Sequence, residues 1–136
     1  MRRRRVLVLC TGNSARSQLA EALFRAEGGD RVEVESAGSD PRPEIHPMAH
    51  GVAREVLGLD LAGQSPKPVS RFAGQRFDLV VTVCDHAAEA CPVFPGAPAR
   101  LHWSLPDPKT RRDFEEVAVD LRGRIRHLLG TWDEPR

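Results

Sequence analysis

No segment of this 136-residue chain is apolar for long enough to cross a membrane. The first apolar run, Val6 to Cys10, stops far short of the ~20 residues that a helical span requires. Arg2 to Arg5 precede it and superficially imitate a secretory signal, but the run is shorter than the apolar region such a signal needs. An excess of one charge is lacking as well: 20 Lys and Arg against 19 Asp and Glu leave a net +1, no footprint for nucleic acid. Cysteine is scarce and odd in number, three in all, which poorly serves a disulfide framework. In a reducing compartment such cysteines more often bind metal or do redox chemistry. Internal repeats, low-complexity tracts and linkers are also lacking. Residues 1–136 are therefore expected to form one cytoplasmic domain, with 40% hydrophobic and 29% charged residues as in ordinary globular chains.

What is present alternates. Val6 to Leu9 reads as a strand and Ala15 to Glu27 as a helix with an inward stripe of Leu19, Leu23 and Ala26, ended by Gly28-Gly29. Val32 to Ser36 reads as a second strand, and Met48 to Leu57 as a second helix with Val52, Val56 and Leu57 inward. A short helix is expected over Val69 to Phe72. Phe77 to Val83 and Ala99 to Trp103 supply two further strands. Asp113 is expected to cap the last helix with Glu116 as capping-box partner, and Phe114, Val117, Leu121, Ile125 and Leu128 step along its buried face. Strands that alternate with helices and are apolar throughout predict an α/β fold: a four-stranded parallel sheet with helices on both faces, in three layers. In such sheets ligands bind beyond the carboxyl ends of the strands.

Cys10 occupies that position. It ends the first strand and opens the loop Thr11-Gly12-Asn13-Ser14-Ala15-Arg16-Ser17 before the first helix. Backbone N–H groups of such a loop and the helix N-terminus form a concave anion site, and the Arg16 fork can grip two oxygens of a tetrahedral oxyanion. The positive field is expected to lower the Cys10 pKa and favour the nucleophilic thiolate. A buried structural cysteine is the plain alternative. The loop lacks the Gly-Lys-Ser/Thr ending of a nucleotide-binding loop, which disfavours ATP chemistry.

Cys84 follows the third strand, and Cys91 lies seven residues on. The spacing is wrong for a zinc knuckle, although a site from Cys84, His86, Cys91 and His102 is conceivable, as are two unrelated core cysteines. The alanine-rich stretch between them favours a helix, along which seven residues span about 10 Å. A disulfide needs Cα atoms within about 7 Å, so a Cys84–Cys91 bridge requires that helix to unwind or loop out. Oxidation would then be coupled to refolding. Asp107, in Leu105-Pro106-Asp107-Pro108, reads locally as a turn residue. Its place after a strand also suits a proton donor facing the anion site.

Cys10-Thr11-Gly12-Asn13-Ser14 with Arg16-Ser17, then Ser36-Ala37-Gly38, Val81-Thr82-Val83-Cys84, Cys91-Pro92, His102-Trp103 and Asp107-Pro108 resemble the thioredoxin-coupled arsenate reductases of the low-molecular-weight protein tyrosine phosphatase fold. The resemblance covers nearly the whole chain, in order. It implies that Cys10 attacks arsenate held by Thr11, Gly12, Asn13, Ser14, Ala15 and Arg16, with Ser17 stabilising the thiolate and Asp107 protonating the departing hydroxide. Cys84 would then attack Cys10 and release arsenite, and Cys91 would attack Cys84, leaving a surface disulfide for thioredoxin rather than glutaredoxin. The resemblance also implies a phosphatase alternative using the same loop; a non-catalytic oxyanion or redox sensor is a further one. Some relatives hold potassium with an Asn, a Glu, a Ser and an Asp. Asn13, Glu21 and Ser36 match, but Lys67 replaces the Asp, so no potassium requirement and no bound cofactor are expected. The chain has no tyrosine, and Lys109-Thr110 stand where eukaryotic phosphatases carry aromatics, which argues against phosphotyrosine recognition. A monomer is expected.

Overall fold

A computed structural model describes residues 3–85 and 91–132. Its sheet has the order β2-β1-β3-β4, built from β1 (Arg4–Cys10), β2 (Val32–Gly38), β3 (Leu79–Thr82) and β4 (Ala99–His102). All three pairings are parallel. The chain passes from β1 to β2 on one side and returns across β1 to β3 on the other. The order therefore reverses at β1, and the crevice beyond its carboxyl end is where open α/β sheets bind ligands. Cys10 is the last residue of β1.

β1 reads as an uninterrupted apolar run because both of its faces are buried. Val6, Val8 and Cys10 enter the larger core, beside α1 (Arg16–Gly28), α2 (Pro47–Val52) and α3 (Arg111–Trp132). Leu7 and Leu9 enter a smaller one with Ala37, Phe72, Phe77, Val80 and Phe94. The expected coverage of both faces is thus uneven. Among the described residues the three α-helices share one face, while the other carries the 3-10 turn Val69–Phe72 and the segment around Phe94.

Several boundaries move. β2 extends two residues beyond Ser36 to Gly38, which pairs with Cys10 and bridges to Pro68. β3 begins only at Leu79, because the Asp78 carboxylate is used to accept the Arg5 N–H at 2.7 Å. β4 is exposed along its whole length, as an edge strand, rather than apolar on both faces. The Ala26 position of the α1 stripe is exposed; Phe24, Leu19 and Leu23 carry the contact instead. α2 starts one residue early at Pro47, whose fixed φ suits the first helical position, and continues as a π-helical turn, Ala53–Leu57.

The cap of α3 lies three residues upstream of the expected one. Thr110 Oγ1 accepts the Asp113 N–H at 3.1 Å and the Asp113 carboxylate accepts the Thr110 N–H at 3.1 Å, which is a reciprocal capping box. Glu116 instead pairs with Arg112 one turn earlier. The alanine-rich helix expected between Cys84 and Cys91, with His86 of the conceivable zinc set, lies outside the described residues.

Candidate active site

The loop after β1 is shaped by where its carbonyls go. Those of Cys10, Thr11, Gly12 and Ser14 accept N–H groups from Ser39, Asp40, Arg42 and His46 at 3.3, 2.9, 2.9 and 2.9 Å. A planar trans peptide places its N–H opposite its carbonyl. The N–H groups of Thr11, Gly12, Asn13 and Ala15 consequently turn inward, and that of Asn13 reaches Cys10 Sγ at 3.1 Å. α1 opens immediately afterwards at Arg16 with no side-chain cap, so its first-turn N–H groups add to the same positive concavity. Asn13 holds the left-handed conformation this curvature needs, with φ 49°.

Behind the loop lies a closed polar network. The Asn13 side-chain amide donates to Ser17 Oγ at 2.7 Å and Ser36 Oγ at 3.0 Å, and its carbonyl accepts the Lys67 N–H at 2.8 Å. The Ser36 hydroxyl in turn donates to Glu21 Oε1 at 2.6 Å. The Ser17 hydroxyl, already accepting from Asn13, is left to donate to Cys10 Sγ at 2.8 Å. The Glu21 carboxylate also faces Lys67 Nζ at 3.7 Å and Arg25 Nη2 at 2.8 Å. Asn13, Ser17, Glu21, Ser36 and Lys67 are buried and only Arg25 is exposed; among the described residues no buried side-chain polar atom lacks a partner. A satisfied network of this kind holds its members in one geometry.

The expected lowering of the Cys10 pKa is overturned. Burial pushes the thiol above its ordinary value and outweighs the Ser17 hydrogen bond, the Arg16 charge and the Asn13 N–H, all of which favour the thiolate. The sequence shows the cations but not how deeply the sulfur sits, and the sulfur is nearly fully enclosed.

Cys10, Thr11, Gly12, Asn13, Ser14, Ala15 and Arg16 line one cavity of about 950 Å³, together with Asp107. Arg16 is buried and enters from below: Nη1 donates to the Leu105 carbonyl at 2.8 Å and Nη2 lies 3.6 Å from Asp107 Oδ1. Asp107 is 60% exposed at the rim, where Lys109 Nζ approaches its other oxygen at 3.7 Å. Its turn therefore also serves the pocket, as its position after a strand implied. Cys84 is fully buried beyond β3 and bonded to half-buried Cys91, with Cα atoms 5.9 Å apart; Cys10 is a free thiol. The two sulfurs of the conceivable zinc site are thus spent on each other, and His102 instead bonds Thr82 Oγ1 at 2.6 Å.

Sequence reasoning missed part of the cavity wall: Arg42, Glu44 and His46. His46 caps α2, Nδ1 accepting the Met48 N–H at 3.1 Å, and its ring rests on Phe114 with centroids 4.9 Å apart. The one available signal was Pro47, which marks a helix start.

A free thiol at the end of a central parallel strand, over which inward-turned amides and a buried guanidinium converge, belongs to the phosphatase-loop class of α/β enzymes. Residues 5–135 match the low molecular weight phosphotyrosine protein phosphatase family, and the chain belongs to that family. It is similar to an arsenate reductase of Halalkalibacterium halodurans, 35% identical over 130 residues that span 96% of this chain and 92% of that protein. A solved arsenate reductase in a phosphate-binding state superposes with a TM-score of 0.81 at 27% identity, covering 94% of this chain and 98% of that one. A thioredoxin-dependent arsenate reductase of Corynebacterium glutamicum gives 0.74 at 34% identity, covering 95% of this chain and 61% of that one.

Proposed function

We propose that this protein reduces arsenate to arsenite through Cys10, Cys84 and Cys91, with thioredoxin as the external reductant. One observation carries the reading: beside a free Cys10, Cys84 and Cys91 are already joined, which is the state a completed relay leaves behind. A phosphatase needs only Cys10, Arg16 and Asp107 and has no use for that pair. The relatives named above point the same way.

In the proposed sequence the Cys10 thiolate displaces a hydroxide from arsenate, Asp107 supplying the proton that makes it water. Arg16 and the inward amides hold the remaining oxygens. The Cys84 thiolate then attacks Cys10 Sγ. The sulfur–arsenic bond breaks, its electron pair leaves with arsenic as arsenite, and a Cys10–Cys84 disulfide forms. Cys91 attacks Cys84 Sγ, returning Cys10 as a thiolate and leaving Cys84–Cys91. A dithiol such as thioredoxin reduces that pair by attack on half-buried Cys91, since Cys84 is enclosed.

The network behind the loop does not suit a potassium ion: the Lys67 ammonium already faces Glu21 at 3.7 Å. Exchanging sodium for potassium should leave the rate unchanged, and Lys67→Asp should make it potassium-dependent. Slow phosphomonoester hydrolysis by the same loop is expected as a side reaction.

The test is arsenate-dependent NADPH consumption with thioredoxin and its reductase. Cys84→Ser should abolish turnover while sparing hydrolysis of an aryl phosphate. Absence of arsenate-dependent consumption by the fully reduced wild-type protein would sink the proposal.

A further inference from the structure

We propose that Arg42 is a second oxyanion-binding cation, closing over the loop from the solvent side opposite Arg16. The inference rests on reading the Cys10 loop as an oxyanion site and adds a residue to it.

Gly12 provides the first observation. It is not among the glycines with positive φ, so its backbone conformation does not call for glycine. A Cβ there would meet Arg42 Cγ at 3.1 Å and Arg42 Nε at 3.3 Å, with Ser14 Oγ next at 3.6 Å. Glycine at this position therefore admits the Arg42 side chain against the loop. The Arg42 N–H, donating to the Gly12 carbonyl at 2.9 Å, fixes the approach from the backbone side.

The second observation is charge. Arg42 lines the same cavity as Cys10 and Arg16. Arg16 is committed at its base to the Leu105 carbonyl and faces Asp107. Lys109 faces Asp107 as well. Arg42, by contrast, is exposed, and among the described residues its guanidinium has no hydrogen-bond or ion-pair partner. The mouth of an anion cradle thus carries an uncommitted planar fork, whose geometry matches two oxygens of a tetrahedral oxyanion. A fork in this place would contact the oxygens that point away from the loop amides. An inorganic dianion offers all of them, whereas an ester carries a substituent at one. Arg42 is accordingly expected to favour inorganic oxyanions over phosphomonoesters.

The test uses the oxidised full-length chain, in which Cys10 is the single free thiol. Alkylation of Cys10 by iodoacetamide is followed while inorganic phosphate is titrated as the probe. Phosphate should protect the wild-type sulfur. Arg42→Ala should raise the half-protecting concentration by about tenfold, the lower end of what a hydrogen bond to a charged group is worth. Arg42→Lys, which keeps the charge without the fork, should fall between the two. Each half-protecting concentration is taken relative to the same variant's alkylation rate without phosphate, and the tenfold shift should shrink as salt rises. With phenyl phosphate as competitor the loss in Arg42→Ala should be smaller. Equal protection of wild type and Arg42→Ala would overturn the role of Arg42 alone. Phosphate that protects neither would overturn the oxyanion site, and this inference with it.

Discussion

At the scale of single residues, Cys10 is held between opposing influences. Burial favours the neutral thiol, while Ser17, Arg16 and the Asn13 N–H favour the thiolate, and burial prevails in this state. Alkylation of Cys10 should therefore accelerate with pH through a midpoint above that of an ordinary thiol. Ser17→Ala removes the largest opposing influence, so it should move the midpoint higher and slow alkylation at neutral pH; a midpoint that stays put would show that the hydroxyl does not donate to sulfur. The sign for stability follows from the same shift. A raised acid contributes stability that is full below the unfolded thiol pKa and is lost as pH rises through the folded one. The position and neighbours of Cys10 were legible from the strand, loop and helix pattern. Its enclosure was not, because it depends on residues distant in the chain. Arg42 was illegible for a related reason: nothing local distinguishes an arginine in a Pro-rich loop until Gly12 is brought beneath it.

Between residues and the whole lies the fit of one element to another. Gly38 ends β2 directly beneath the loop, and a Cβ there would stand 2.4 Å from the Thr11 carbonyl and 3.1 Å from Asn13. Gly38→Ala must push the loop outward, so phosphate protection of Cys10 should fall by an order of magnitude or more. Retention of full protection would mean that the loop shifts without losing its amide cradle. Phe114, fully buried, joins α3 to the His46 cap of α2. Phe114→Ala should cost about 3–5 kcal/mol by the cavity it leaves, read in a denaturant melt, and should also loosen the wall that carries His46.

Element existence was well encoded, since strands β1 and β3 are buried on both faces and α3 keeps a regular three-and-four step. Ends were harder. Thr110 displaced Asp113 as the cap because either residue satisfies the sequence rule, and only the hydrogen bonds choose between them. The edge strand β4 departs from the expectation of strands apolar throughout, because among the described residues no strand covers its far side.

Across the whole molecule, the sheet sets where the cysteines lie. β1 and β3 are neighbours, with Leu9 opposite Thr82, so the segments leaving their carboxyl ends carry Cys10 and Cys84 beyond the same edge. Both belong to one core, to which Cys91 packs from its margin. Parallel strand order thus places Cys10 and Cys84, far apart in the chain, in the same core. The pattern of alternating strands and helices announced that convergence. With the Cys84–Cys91 bridge formed, the Cα atoms stand 5.9 Å apart, within the reach a disulfide requires.

The central claim is that arsenic leaves Cys10 by attack of a second sulfur. It is tested most directly by mapping disulfides after a single turnover of reduced protein with arsenate, without thioredoxin. Wild type should release one arsenite and end as Cys84–Cys91 with Cys10 free, whereas Cys91→Ser should stop at a Cys10–Cys84 disulfide. Arsenite released undiminished by Cys84→Ser, or a Cys91→Ser protein that turns over with no Cys10–Cys84 bond, would contradict the account.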